Sequence, residues 1–124
     1  MARIRDHETV DRAKPHAEKL LEVLRSAGAE GCYIYAFDEQ NSQKAYTRFF
    51  NPTVGIWEDP ATGTAAGPLA AHLVAHRLAL PGQAIVIEQG TAMGRTSLIQ
   101  VDVVNDTVKV SGRGVVVASG RLIL

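Results

Sequence analysis

Cysteine is almost missing from this chain of 124 residues. Cys32 stands alone, so no internal disulfide can form, and a bridge-stapled fold is excluded. Net charge is missing too, because 13 Lys and Arg balance 13 Asp and Glu. No basic stripe or aromatic–basic cluster occurs, which argues against nucleic-acid binding. Little charge repulsion is left to keep copies apart, so self-association is easier than for a highly charged domain. Long apolar runs are also lacking, so no segment is expected to span a membrane. The opening Met1-Ala2-Arg3-Ile4-Arg5-Asp6-His7-Glu8 is charged and has no apolar region of the kind a secretory signal carries. Together with the lone cysteine, this sets the expectation of a reducing, cytoplasmic protein. No internal repeat and no low-complexity tract is found.

What remains is an ordinary globular composition, 46% hydrophobic and 21% charged, in a length that builds one core. Residues 1–14 read as a polar, loosely held lead-in, and residues 15–124 as a single domain. After Pro15, apolar residues at Ala17, Leu20, Leu21 and Leu24 follow i, i+3, i+4, i+7, which predicts an amphipathic surface helix stopped near Gly28. Cys32–Phe37 and Ala45–Phe50 are rich in strand formers, with a polar turn from Asp38 to Gln43 between them. Residues 53–62 read as a loop. Residues 64–80 then read as a helix that is apolar on nearly every side and therefore mostly buried, ending at Pro81-Gly82. Strand-like runs follow at 84–88, 97–104, 107–110 and 114–118, with a possible edge segment at 121–124. Asn105-Asp106 reads as a tight hairpin turn. The connections look too short for crossover helices, so the sheet is expected to be mainly antiparallel. The fold class is α+β: strands wrapped as a barrel-like antiparallel sheet around one central buried helix, with one amphipathic helix outside.

The stretch Glu58-Asp59-Pro60-Ala61-Thr62-Gly63-Thr64-Ala65-Ala66-Gly67 is the most informative. Gly63 permits close backbone approach. Thr62 or Thr64 can serve as the N-cap. Pro68 removes one early backbone hydrogen bond, so an irregular first turn is expected. Free N–H groups at the positive end of a helix make an anion site, and a carboxylate ligand suits it. Glu58 and Asp59 can act as acid–base groups beside such a ligand if burial raises a pKa. The ordinary alternative is that two acidic residues simply stabilise the start of a helix.

These residues resemble a known family. Arg48-Phe49-Phe50-Asn51-Pro52, then Gly55-Ile56-Trp57-Glu58-Asp59-Pro60-Ala61-Thr62-Gly63-Thr64-Ala65, resembles the PhzF signature, in which an aromatic strand leads to E-D-P-A-T-G-S-A. Gln89-Gly90-Thr91-Ala92-Met93-Gly94-Arg95-Thr96-Ser97 resembles that family's Q-G-x-x-x-G-R-x-S segment. Val108-Lys109-Val110-Ser111-Gly112-Arg113-Gly114-Val115 resembles its closing hairpin. The resemblance runs from about Pro15 onward and covers only the second half of a usual member. It implies a diaminopimelate-epimerase-like fold, in which two similar domains face each other across the substrate at the N-termini of their central helices. It also implies isomerase chemistry by proton transfer. The family's catalytic glutamate and a histidine belong to the first domain and have no counterpart here. The family's second-domain aspartate corresponds to Asp59 and its helix-start serine to Thr64, while Gly63 and Thr64 would offer N–H groups to a substrate carboxylate. Related diaminopimelate epimerases carry a reactive cysteine near Thr62. A threonine hydroxyl is too weak an acid to replace it, so a two-cysteine racemase mechanism is not expected.

Other signals read as structural. Cys32 lies in a strand and reads as a packed thiol. His72 and His76 share a helix face but have no third metal ligand nearby in sequence, so no metal and no cofactor is expected. Residues 90–96 are one residue short of a phosphate-binding loop, carry Arg95 in place of Lys and lead into a strand, so they read as a turn. Gly112-x-Gly114 carries no nucleotide fingerprint. The leading expectation is an isomerase-family protein reduced to one domain. Asp59 would be its catalytic group, and Gly63, Thr64, Thr62 and Glu58 would bind a small carboxylate. A second copy or a separate first-half chain would complete the site, and a two-fold dimer is the natural way to pair. The alternatives are a non-catalytic anion-binding or interaction domain, and an inactive fragment of a split isomerase.

Overall fold

The computed structural model describes residues 1–38 and 43–123. The polar turn expected at 38–43 and the end of the segment at 121–124 lie partly outside these residues. The architecture is α+β, with one mixed sheet of seven strands and three helices. The strands are β1 (Ala2–Arg3), β2 (Cys32–Phe37), β3 (Lys44–Asn51), β4 (Ile56–Asp59), β5 (Ile85–Gln89), β6 (Ser97–Val104) and β7 (Thr107–Ser111). The helices are α1 (His7–Asp11), α2 (Ala17–Ser26) and α3 (Gly63–Ala75). Strand order is β1-β2-β3-β5-β6-β7, with β4 pairing β3 off this path.

Alternation along the strands divides the sheet into two faces. Tyr33, Tyr35 and Phe37 of β2, Ala45 of β3, Ile85 and Ile87 of β5, and Ile99, Val101 and Val103 of β6 point one way. They pack against Ala66, Leu69, Ala70 and Leu73 of α3. Leu69 and Leu73 are fully buried, and each contributes roughly 1.5–3 kcal/mol from apolar burial. The opposite face is smaller: Ile34, Ala36, Tyr46 and Phe50 gather around Val10 of α1, with Leu20 of α2 at its margin.

Several expectations are corrected. The first 14 residues are structured: β1 pairs parallel with β2, Asp6 caps α1 by accepting from Thr9 N, and Val10 is fully buried. The sheet is not uniformly antiparallel, because β3 and β5 run parallel from Lys44↔Val86 to Thr47↔Gln89. The crossover thought to be missing is α3 itself, which lies between them in sequence. Residues 56–59, read as loop, form β4 against the end of β3. Helix α3 ends five residues early. Arg77 adopts a left-handed conformation (φ 59°), Leu78 N donates to Leu73 O, and Arg77 N donates to Val74 O. This is a Schellman closure. The helix is also not buried all round, since Thr64, Pro68 and Ala75 are exposed. Residues 114–118 form no strand; Val115, Val116 and Val117 are 86–89% exposed. The segment from 121 likewise has no pairing partner among the described residues. Elsewhere β2, β3, β5, β6 and β7 fall where the pattern put them, and the two-residue turn Asn105-Asp106 closes β6 onto β7 at Val104↔Thr107.

Candidate functional site

The signature loop sits where two strands meet end to end. On one edge of β3, β5 pairs along Lys44–Thr47 and β4 pairs along Phe49–Asn51. Because β5 is parallel to β3 and β4 is antiparallel, their C-terminal residues converge. Gln89 stands opposite Thr47 and Asp59 opposite Phe49. Two loops leave from this junction, Pro60–Thr62 into α3 and Gly90–Thr96 into β6.

A buried polar relay fills the junction. Gln89 is fully buried. Its amide donates to the backbone oxygen of Asp59 at 2.6 Å and to Thr62 Oγ1 at 2.8 Å. Thr62 in turn donates to Asp59 Oδ2 at 2.7 Å. Asp59 Oδ1 accepts from Ala61 N at 3.2 Å, which is an Asx turn. On the other side, the Tyr33 hydroxyl donates to Gln89 Oε1 at 2.9 Å and lies 3.1 Å from Thr47 Oγ1. Burial holds that hydroxyl protonated well above the usual tyrosine range. Thr47 donates onward to the backbone oxygen of Glu88. Every buried side chain of this relay is therefore hydrogen-bonded, which a polar cluster inside a core requires.

Gly90 explains why the second loop accompanies the first. At φ +83°, a Cβ there would lie 2.4 Å from Arg95 O and 2.8 Å from Pro60 O. Only glycine lets the two loops touch backbone to backbone.

At the start of α3, the backbone oxygen of Thr62 accepts from Ala65 N and Ala66 N. Among the described residues, no protein group accepts from the N–H of Gly63 or of Thr64. Thr64 is exposed and Gly63 partly so, and these amides stand at the positive end of a 13-residue helix. Thr62 caps the helix through its backbone only. A cavity of about 730 Å³ flanks the loop, with Ala61, Thr96, Ser97, Gln100, Ser111 and Arg113 among its walls. Ala61 is the loop's contribution; Asp59, Gly63 and Thr64 do not line it.

Asp59, Thr62, Gly63 and Thr64 are thus brought together. Glu58 is not. Adjacent strand residues point to opposite faces, and Glu58 is bound on the far side by Arg48 through Nε–Oε1 at 2.7 Å and Nη2–Oε2 at 2.8 Å. Arg48 also donates to the backbone oxygens of Val10, Asp11 and Ala13. Contact with Glu58 pushes the Arg48 pKa up. The pair ties β4 to α1. The rings of His72 and His76 lie 4.1 Å apart and tilted by 39°, and His76 Nδ1 lies 2.9 Å from His72 O. Burial raises the Cys32 thiol pKa. The residue that pattern reading passed over is Gln89. Its signal was present: in Ile85-Val86-Ile87-Glu88-Gln89 a polar residue occupies an inward position of period two.

The family model for phenazine biosynthesis-like proteins, PhzC–PhzF, matches residues 1–120. The chain belongs to this family. It is 36% identical to an uncharacterized isomerase of Clostridium acetobutylicum, across 100% of this chain and 44% of that protein. It is 45% identical over 83 residues to the trans-2,3-dihydro-3-hydroxyanthranilate isomerase of Pseudomonas aeruginosa, covering 63% of this chain and 30% of that one. A solved PhzC/PhzF structure from Clostridium difficile superposes with TM-score 0.73 at 24% identity, over 98% of this chain and 43% of its own. A structure described as a predicted epimerase of Pseudomonas aeruginosa gives TM-score 0.61 at 32% identity, over 91% of this chain and 40% of its own. The PhzF-family chain spans less than half the length of these relatives. No helix among its described residues is long and apolar enough to cross a membrane.

Proposed function

We propose that this chain is the second-half domain of a PhzF-like isomerase and supplies one wall of an active site. In this reading the Gly63 and Thr64 amides take the carboxylate of a small cyclic acid. Asp59, half-buried beside them, is the acid–base group. The observation that carries the reading is a pair of N–H groups with no acceptor among the described residues, opening a helix whose preceding loop is held by buried hydrogen bonds. The helix start opens toward solvent rather than into an enclosed pocket. In this reading the opposite wall is a first-half domain or a second copy in a two-fold dimer. The isomerase activity named for the Pseudomonas relative makes a dihydro-hydroxyanthranilate the natural substrate class to try.

One observation favours a second reading. Both Asp59 oxygens are engaged, by Thr62 and by the Ala61 amide. That is what a loop-shaping carboxylate does, and it fits a domain that binds small anions without turning them over.

The test is proton exchange in D2O with trans-2,3-dihydro-3-hydroxyanthranilate, followed by NMR. Exchange that Asp59→Asn abolishes supports the isomerase reading. Binding without exchange supports the anion-binding domain. Neither binding nor exchange overturns both. Light scattering at micromolar concentration measures the pairing, and a strict monomer counts against the homodimer.

A further inference from the structure

We propose that Gln89 is the positioning residue of the site: its buried amide sets the direction in which the Gly63 and Thr64 N–H groups point. The inference rests on the carboxylate-binding reading above, and it concerns how that site is built.

Gln89 reaches both ends of the loop at once. One amide hydrogen goes to the backbone oxygen of Asp59, the last residue of β4, and the other to the side chain of Thr62, the residue before α3. Three peptide bonds, those joining Asp59, Pro60, Ala61 and Thr62, are therefore spanned by a single planar group. An amide cannot make both donations if it is flipped, because its oxygen would then face two acceptors. Its orientation is fixed from behind, where the Tyr33 hydroxyl donates to Oε1. The proton of Tyr33 thus specifies the orientation of Gln89, and Gln89 specifies the direction of the Thr62 hydroxyl. With its oxygen occupied by the Gln89 amide, Thr62 turns its proton toward Asp59 Oδ2. Gln89 touches neither proposed ligand group directly. It acts through Thr62, whose backbone oxygen closes the first turn of α3. Gly90 keeps the strand end from pushing Pro60 away, so the amide stays in reach. A residue of this kind contributes geometry rather than contact, and small displacements of donors weaken an anion site steeply.

The test uses the full chain and four proteins: wild type, Gln89→Met, Thr62→Val and Tyr33→Phe. The 1H–15N amide positions of Gly63 and Thr64 are recorded without ligand. Affinity for anthranilate, a cyclic carboxylate probe, is then measured by its fluorescence. Gln89→Met preserves length and removes the two donations. It is expected to move both amide resonances and weaken anthranilate about tenfold, the effect of losing one to two hydrogen bonds. Thr62→Val cuts the relay while leaving Gln89 in place and decides the matter should Gln89→Met fail to fold. Tyr33→Phe should act in the same direction but less. Variants that lose thermal stability while both resonances and the affinity stay unchanged would overturn the proposal, because Gln89 would then be core filling only. Failure of the wild type to bind anthranilate sinks the carboxylate reading separately, and the ligand-free spectra still decide the role of Gln89.

Discussion

Glu58 and Asp59 are neighbours in β4, carry the same charge and are both partly buried, yet they sit in different kinds of chemistry. Glu58 faces the α1 side and is matched by a guanidinium with a two-point grip, the side chains being 10% and 11% exposed. Asp59 faces the α3 side and meets only a hydroxyl and an amide. Among the described residues no cation pairs with it. The first arrangement is rigid and complete, as charges taken out of water require. The second leaves a carboxylate next to free amides at a helix start. One residue of strand alternation separates a tie that holds the fold from the carboxylate proposed as the acid–base group.

The largest break in this contrast should come from Arg48. Arg48→Ala strands a buried Glu58 and frees three backbone oxygens, and should cost about 3–5 kcal/mol in urea unfolding. A loss below about 1 kcal/mol would mean the pair is no more than a surface contact. Next is Gly90→Ala. A left-handed φ and two carbonyl oxygens inside contact distance should cost roughly 1–3 kcal/mol, and the damage should appear at Pro60 and Arg95 in hydrogen exchange. Asp59→Asn sharpens the contrast from the other side. It keeps one of the two acceptor oxygens, so stability should fall by about 1 kcal/mol, the worth of one hydrogen bond, while anthranilate binding or proton exchange responds.

The smallest effect is electrostatic. Tyr46 is buried and donates to Asp11 Oδ1 at 2.5 Å. Burial, with that acidic neighbour, pushes its pKa up to about 12, from an ordinary value of 10. The folded state keeps the proton after the unfolded chain has lost it. The contribution is therefore complete below pH 10 and declines as pH rises toward 12. Tyr46→Phe should flatten the part of the stability–pH curve in that window.

Much of this was legible from side-chain period. The strand formers of Cys32–Phe37 and the run Ser97–Val104, in which Ile99, Val101 and Val103 alternate with polar residues, read as strands, and both are present. The D-P-A-T-G loop before a small-residue helix was legible as chemistry. The rest depended on partners far away in sequence. Ile56–Asp59 has too few residues and too little alternation to read as a strand without seeing β3 beside it. Arg77 closes α3 in a conformation usually left to glycine, so no sequence mark announces the end. Val115-Val116-Val117 has strand propensity but pairs with no strand among the described residues, and propensity alone forms no strand. The Glu58–Arg48 tie and the Gln89 relay bridge 10 and up to 56 positions, and periodicity carries no information about such pairs.

The central claim is that the first amides of α3 receive a carboxylate. An 1H–15N titration of the wild-type chain with anthranilate tests it most directly. Saturable shifts that are largest at Gly63 and Thr64 are the predicted result. Resonances at those two residues that stay fixed, while the rest of the chain responds or nothing does, would contradict it.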